Sequence, residues 1–515
     1  MSDERNGQQE PSRELGQQDN LFPEQEEDVV EPRPPVTVRG VAIVGARVVT
    51  GLIGIGIAAV TIAASVFVPL PGIHALAPSE VITPVPTAQQ LVCPGAVLRL
   101  ADETGKGATT ASAIGRPNTD YRSSSGSINA TPLATSDAST GGTVSAPIVV
   151  STPPDQNDPT QKLLLSGAQS QSVKVDEFIG LAAADCGVAN GDTWLAGGST
   201  AVGRTTLLTL SNPTAVAATV NLVLYGETGL IAAPGTSGII VPALGQRVLS
   251  LAGFRPDIVS PIVHVSSSGG QVVAELQQSI VRGLDAGGVD IIGPTTAPAL
   301  VNVIPGLLVA NVAAVQALLG HGADYHDLVP VLRLFAPGTG TVATTISVIP
   351  EDGAADGTSF SYELEAGRVV DVPFSDLGDG NYTVKIVSPV PVVATARVST
   401  AVTGGPTDFA WLSAATALHD HAQFTVASGP SPVLHLANAG AANATVTLTA
   451  QDGTVTTVAL PTGSSALVAV RPGMTYQATG FDSIFAAVTL SAPGAIARYA
   501  VHPPGAGSTP LTVYR

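Results

Sequence analysis

The chain has 515 residues, with 40 Asp and Glu against 22 Lys and Arg and a formal net charge of −18. That balance excludes a protein working through phosphate-backbone contacts, which need basic patches, so no nucleic-acid partner is expected. The length allows several domains, and 44% hydrophobic with only 12% charged residues supplies ample material for buried cores.

Residues 1–40 contain SDERNGQQEPSRELGQQDNLFPEQEEDVVEPRPP, a polar, acidic, proline-rich stretch. Such a segment buries too little apolar surface to offset chain entropy, so a disordered cytoplasmic tail is expected. From Val48 to Pro78 there is no Asp, Glu, Lys or Arg. Its core, VVTGLIGIGIAAVTIAASVFVPL, exceeds the ~20 apolar residues that one membrane-crossing helix needs. A transmembrane signal anchor is expected over residues 41–70. Arg33, Arg39 and Arg47 precede the run and the first Lys or Arg after it is Arg99, which places the N-terminus in the cytoplasm and the bulk outside the plasma membrane. A cleaved secretory signal is the rival reading. Ala75-Leu76-Ala77 forms a small-x-small site, but Pro78 follows it, and the run is longer than the ~7–15 residues of a signal core. Gly51, Gly54 and Gly56 have no strand-turn-helix unit around them, so a dinucleotide-binding turn is excluded. Gly54 and Ala58 form a small-xxx-small pair of the kind that packs membrane helices.

Residues 71–195 read as an N-terminal extracellular region. Cys93 and Cys186 are the only cysteines. An even count outside the membrane favours a disulfide, closing a loop of roughly 90 residues worth ~4 kcal/mol. Two isolated thiols make a poor zinc site. The stretch Ala108–Gly142, rich in Ser, Thr, Gly and Ala, reads as loop, and strand-like alternation resumes over 145–180.

An internal repeat follows. Leu207–Pro213 (LLTLSNP), Val331–Pro337 (VLRLFAP) and Val433–Ala439 (VLHLANA) superpose. Each precedes a half-apolar strand, carrying Leu222 and Leu224, Ile346 and Val348, and Val446 and Leu448. Acid-and-glycine turns end these strands at Gly229, Gly353 and Gly453. A further turn glycine recurs at Gly245, Gly367 and Gly463, and closing strands complete each unit. Period-two alternation between turn residues predicts an all-β fold of tandem immunoglobulin-like sandwiches, over 196–325, 326–415 and 416–515. The segment Leu307–Leu319 fits either a short helix or two strands.

The ordered motifs Cys93-Pro94-Gly95, Ala182-Ala183-Ala184-Asp185-Cys186, Trp194-Leu195-Ala196-Gly197-Gly198-Ser199-Thr200, Gly203-Arg204-Thr205-Thr206 and Leu208-Thr209-Leu210-Ser211-Asn212-Pro213 carry a resemblance. The chain resembles the actinobacterial "domain of unknown function 5719" family. The likeness covers most of the chain after the anchor and is clearest from Cys186 to Arg282. It implies an anchored or secreted protein of the Gram-positive envelope and implies no activity.

Candidate chemistry is sparse. His321, Asp324, His326 and Asp327 are the densest polar cluster, and two imidazoles with carboxylates suit a divalent metal. His419-Asp420-His421 occupies the next connector, where a regular strand would put both imidazoles on one face. Neither spacing matches a strong metal pattern. His264 and His435 fall in strands and read as packed residues. The segment Gly197-Gly198-Ser199-Thr200-Ala201 lacks the last glycine of a nucleophile elbow and any α/β context. Asp376 and Asp379 read as turn-formers. Arg204 is expected to bridge to Asp185 or Asp192. Trp194 and Trp411, the only tryptophans, are the aromatics a sugar platform would need.

The sequence therefore predicts a non-catalytic single-pass envelope protein that binds or spaces a protein or cell-wall polymer, with no cofactor. The alternative is a metal-dependent hydrolase or transferase built on His321, Asp324 and His326.

Overall fold

The computed structural model describes residues 88–100 and 111–503, apart from 125, 140–144, 155–162, 176–177 and 354–356, together with the strands Ser79–Ile82 and Leu511–Tyr514. The acidic tail and the apolar run Val48–Pro78 lie outside the described residues. Among the described residues no helix is long and apolar enough to cross a membrane.

The three repeats fold as two-sheet sandwiches with one shared plan. In the last, the strands Leu418–Thr425, Val433–Ala437, Ala444–Ala450, Val455–Leu460 and Ser465–Ala469 are followed by a long strand, Thr475–Ala492, and by Ala495–Ala500. The first half of the long strand pairs with the first and third strands. Its second half crosses to the other sheet and pairs with Val433–Ala437 and Ala495–Ala500. The second repeat does the same with Gly380–Ala401. In the first repeat the crossing strand is broken into Ile262–Gly269 and Val273–Arg282. Alternation accounts for the filling: Leu208, Leu332 and Leu434 occupy the same register and are fully buried, each facing its own sheet partner in the core.

The boundaries differ from those read in the sequence. The second sandwich opens with Ala299–Val309, so the division at residue 325 falls inside it. That strand is followed by the helix Val312–Leu319, which resolves the ambiguous segment as strand then helix. The Ser/Thr-rich stretch read as loop carries the short strands Ala111–Ala113, Asn118–Ser123 and Asn129–Pro132. The side chains of the last two are largely exposed, so pairing there rests on the backbone and leaves no apolar period to detect.

Nor are the sandwiches strung as a rod. Each ends in a hairpin whose last strand turns inward: Asp285–Ile292, Thr407–Ser413 and Ala495–Ala500. The N-terminal region supplies a fourth such hairpin, Leu165–Val175 with Phe178–Asp185. These four inner strands touch in succession, and the last touches the first, so the four units close into a ring. The inner strands are rich in Ala and Gly (GLAAAD, DAGGVD), which lets four backbones converge on one axis.

Candidate functional site: the ring axis and its cleft

At the axis sits Asp408, fully buried. Its Oδ2 accepts the backbone N–H of Leu181 at 2.8 Å and of Ile496 at 3.0 Å, and its Oδ1 accepts that of Val289 at 3.3 Å. Each donor belongs to a different inner strand. Two glycines make room: a Cβ at Gly288, whose φ is +113°, would fall 2.6 Å from Oδ1, and one at Gly180 would fall 2.7 Å from it. Burial pushes the Asp408 carboxyl up, while the backbone donors pull it down. Asp290 is also buried and accepts the Trp411 N–H at 2.7 Å, and burial raises its pKa too.

Charged side chains, scarce in this chain, concentrate where units meet. Between the first and second sandwiches, Asp327 takes Arg204 at 2.8 Å and Arg282 at 2.7 Å, and Arg397 donates to its carbonyl. Burial raises the Asp327 carboxyl, but Arg397, Arg282 and Arg204 together hold it below its ordinary value. Arg333 pairs with Asp371 at 2.8 Å and donates to the carbonyls of Gly198, Val259 and Pro261 in the preceding sandwich. Its guanidinium lies 4.5 Å from the centroid of Trp411. Between the second and third sandwiches, fully buried His435 meets Glu351 at 2.6 Å, and Glu351 also accepts from Gly306 N–H and Thr383. Arg333 and His435 fill the same position of the repeat motif, so one register slot makes both junctions. Arg397 and Arg498 are lowered by burial to about 10 and about 9. The ring is closed by the His502–Asp185 pair at 2.7 Å and by Ser166–Thr425 and Asp120–Ser428 bonds.

These junctions account for several residues singled out in the sequence. Arg204 does not reach Asp185 or Asp192. Its partner is Asp327, because the 3₁₀ turn Ala323–Leu328 packs over it. Asp192 instead holds His264, which stacks on Trp194 with ring centroids 4.3 Å apart. Asn212 is fully buried, donating to the carbonyls of Val216 and Val241, with buried Pro213 beside it. Asn438 makes the same clamp in the third sandwich. Gly197 lies against Ile292 and Trp411, and Gly198 against Thr206. Both tryptophans are buried, at 9% and 2% exposure, so neither offers a sugar platform. Cys93 and Cys186 are disulfide-bonded.

The histidine connectors do not converge. His321 packs edge-on to Tyr325, and Asp324 engages Arg204 and Arg282 through its backbone carbonyl, with His326 in the same turn. His419 bonds the Asp482 carbonyl. The register shifts on both sides of Asp420, whose φ is +59°, so the alternation that would put His419 and His421 on one face is broken. Among the described residues no group of three His, Cys, Asp or Glu side chains is placed to hold a metal.

Among the described residues, the buried acid Glu275 stands outside this network. At the C-terminal ends of the inner strands, where the N-terminal unit meets the first and third sandwiches, lies a cleft of about 490 Å³. Glu275, Asp185 and His502 line it with Trp194 and Phe424. Glu275 is 3% exposed, and among the described residues no hydrogen-bond or ion-pair partner meets its carboxyl. Burial pushes its pKa well up, and Asp185 adds to the rise. Burial works against a charged His502, but Asp185 outweighs it and raises the imidazole pKa. Sequence reading missed Glu275 because it takes the apparently solvated parity of VVAELQQ. Every position from Val273 to Ile280 is in fact buried, since ring closure covers the second face.

No curated protein matches the chain. A family profile matches residues 138–471, from the edge strands of the N-terminal unit into the third sandwich. The chain belongs to DUF5719, a family of unknown function.

Proposed function

We propose that this is a non-catalytic, single-pass protein of the cell envelope, with the ring outside the membrane presenting loops to a protein or wall polymer. The observation that carries the non-catalytic reading is the use of the charged groups. Asp327, Asp371, Glu351, Asp408 and their partners are spent joining one unit to the next. The apolar run with its upstream arginines supports the anchor, and the closed Cys93–Cys186 bond suits an oxidising compartment. The immunoglobulin-like reading of the modules is supported by pairing of the second strand with the fifth and the third with the sixth in the second and third modules, and by the same pairings in the first when its short strands Gly229–Ile231 and Ile239–Val241 are counted as one. The metal-dependent hydrolase reading has no observation in its favour among the described residues.

The test is co-sedimentation of the full chain, held in detergent, with cell-wall material stripped of protein. Saturable retention supports a polymer-binding role. Absence of retention, followed by absence of any specific cross-link in intact cells, would sink the reading.

A further inference from the structure

We propose that the cleft at the end of the ring axis binds a primary ammonium group, with the Glu275 carboxyl as its counter-charge. This goes beyond polymer or partner binding by the loops and does not depend on it.

A carboxyl enclosed in protein is normally tied to a cation or to several donors, because desolvating it unpaired is costly. The other deeply buried acids of the ring each have at least one partner: Asp408 has backbone donors, Asp290 the Trp411 N–H on one of its two oxygens, and Glu351 the His435 ring. Glu275 alone among these lines a cavity with no partner among the described residues. The charge around it selects the ligand. No lysine or arginine lines the cleft, whereas Asp185 and Asp192 do, and His502 is the one basic side chain. An anion would meet three acids there, and a neutral ligand would leave the carboxyl unpaired. A cation entering beside Glu275 supplies the missing partner and is favoured by Asp185 as well.

The walls then favour an organic cation over a metal ion. Glu275, Asp185 and His502 do not come together as a chelating group. The cleft walls are partly apolar, with Leu165, Val273 and Val501 among the lining, which suits an alkyl chain behind a charged head. Its volume of about 490 Å³ accommodates a side chain or small amine. Ordinarily an uncompensated acid would be replaced by an apolar residue at a gain in stability, so its presence here marks a site in which stability is traded for binding.

The experiment uses the full chain in detergent with Nα-acetyl-lysine amide as probe and its Nε-acetylated form as control, read by saturation transfer from protein to probe. Saturation concentrated on the lysine side-chain methylenes, absent for the control, is the expected result. The Glu275→Gln variant should weaken the probe's affinity about tenfold or more, the usual loss when one side of a charge-assisted pair is removed. It should also melt no lower than the parent, because it removes an uncompensated acid; a lower melting temperature would mark Glu275 as structural and overturn the proposal. Independently of that variant, Ala297→Trp at the exposed lip of the cleft blocks access without touching the core and should abolish saturation. Equal saturation of probe and control, or of parent and either variant, would likewise overturn it.

Discussion

Asp408 accepts the backbone N–H of Leu181 at 2.8 Å across 227 residues of chain, tying the inner strand of the second sandwich to that of the N-terminal unit. The same carboxyl also holds Val289 and Ile496, so one side chain gathers donors from the other three units. Replacing it removes acceptors that nothing else at the axis can replace. Asp408→Ala leaves three buried N–H groups orphaned, at roughly 1–3 kcal/mol each, and should cost at least ~3 kcal/mol in denaturant unfolding. Gly288→Ala should also destabilise, because its Cβ would fall 2.6 Å from Asp408 Oδ1 at a φ that favours glycine. Wild-type stability in either variant would refute the axial role.

Asp327 joins the first two sandwiches through Arg204 and Arg282. Breaking such a cluster by removing the acid strands buried guanidinium groups, so Asp327→Asn should cost about 3–5 kcal/mol near neutral pH. Its folded pKa lies below the unfolded value of 3.8. The carboxylate's contribution is therefore fully present above that value and is lost as pH falls through the lower folded pKa. Parallel unfolding curves of parent and Asp327→Asn should converge in that acid window. A gap that persists unchanged there would refute the assignment.

His502 has the opposite sign. Its folded pKa is raised above the unfolded 6.5 by Asp185. The stabilisation is present below 6.5 and disappears as pH rises through the folded pKa. With the pair partly open to solvent, about 1 kcal/mol or less is expected. His502→Phe should thus be less stable than the parent at mildly acid pH and should match it at alkaline pH. A constant difference across both would mean that packing, not the charge pair, sets the cost.

What the sequence disclosed and what it hid follow from the physics of each feature. The repeat was legible because Leu208, Leu332 and Leu434 each occupy the same core slot, and the turns around them demand glycine or acid. Cys93 and Cys186 pair as their number and expected compartment suggested. The ring was not legible, because closure rests on contacts such as Leu181 with Asp408 that leave no local period. The fourth unit was hidden as well. It contributes only a hairpin to the axis. His435 read as packed, but strand parity disclosed neither its partner Glu351 in the preceding sandwich nor that Arg333, beside Asp371, would reach the carbonyls of Gly198, Val259 and Pro261. Glu275 was concealed by the same parity argument.

The disulfide and the closing ion pair meet at adjacent residues, Asp185 and Cys186, and this predicts a coupling between them. Cys93 is fully buried and Cys186 nearly so, so the bond should resist reduction in the folded chain and yield once the ring is loosened. Its sequence separation is 93 residues, and its removal should cost about 2–5 kcal/mol. Cys186 also fixes the end of the strand Phe178–Asp185, and with it the position of the carboxylate that His502 needs. Removing the bond should therefore weaken the His502 contact. In a double-mutant cycle of Cys93→Ala/Cys186→Ala against His502→Phe, measured at mildly acid pH, the costs should fall short of additivity by about 0.5 kcal/mol or more. Strict additivity would show that the strand end is held in place without the disulfide.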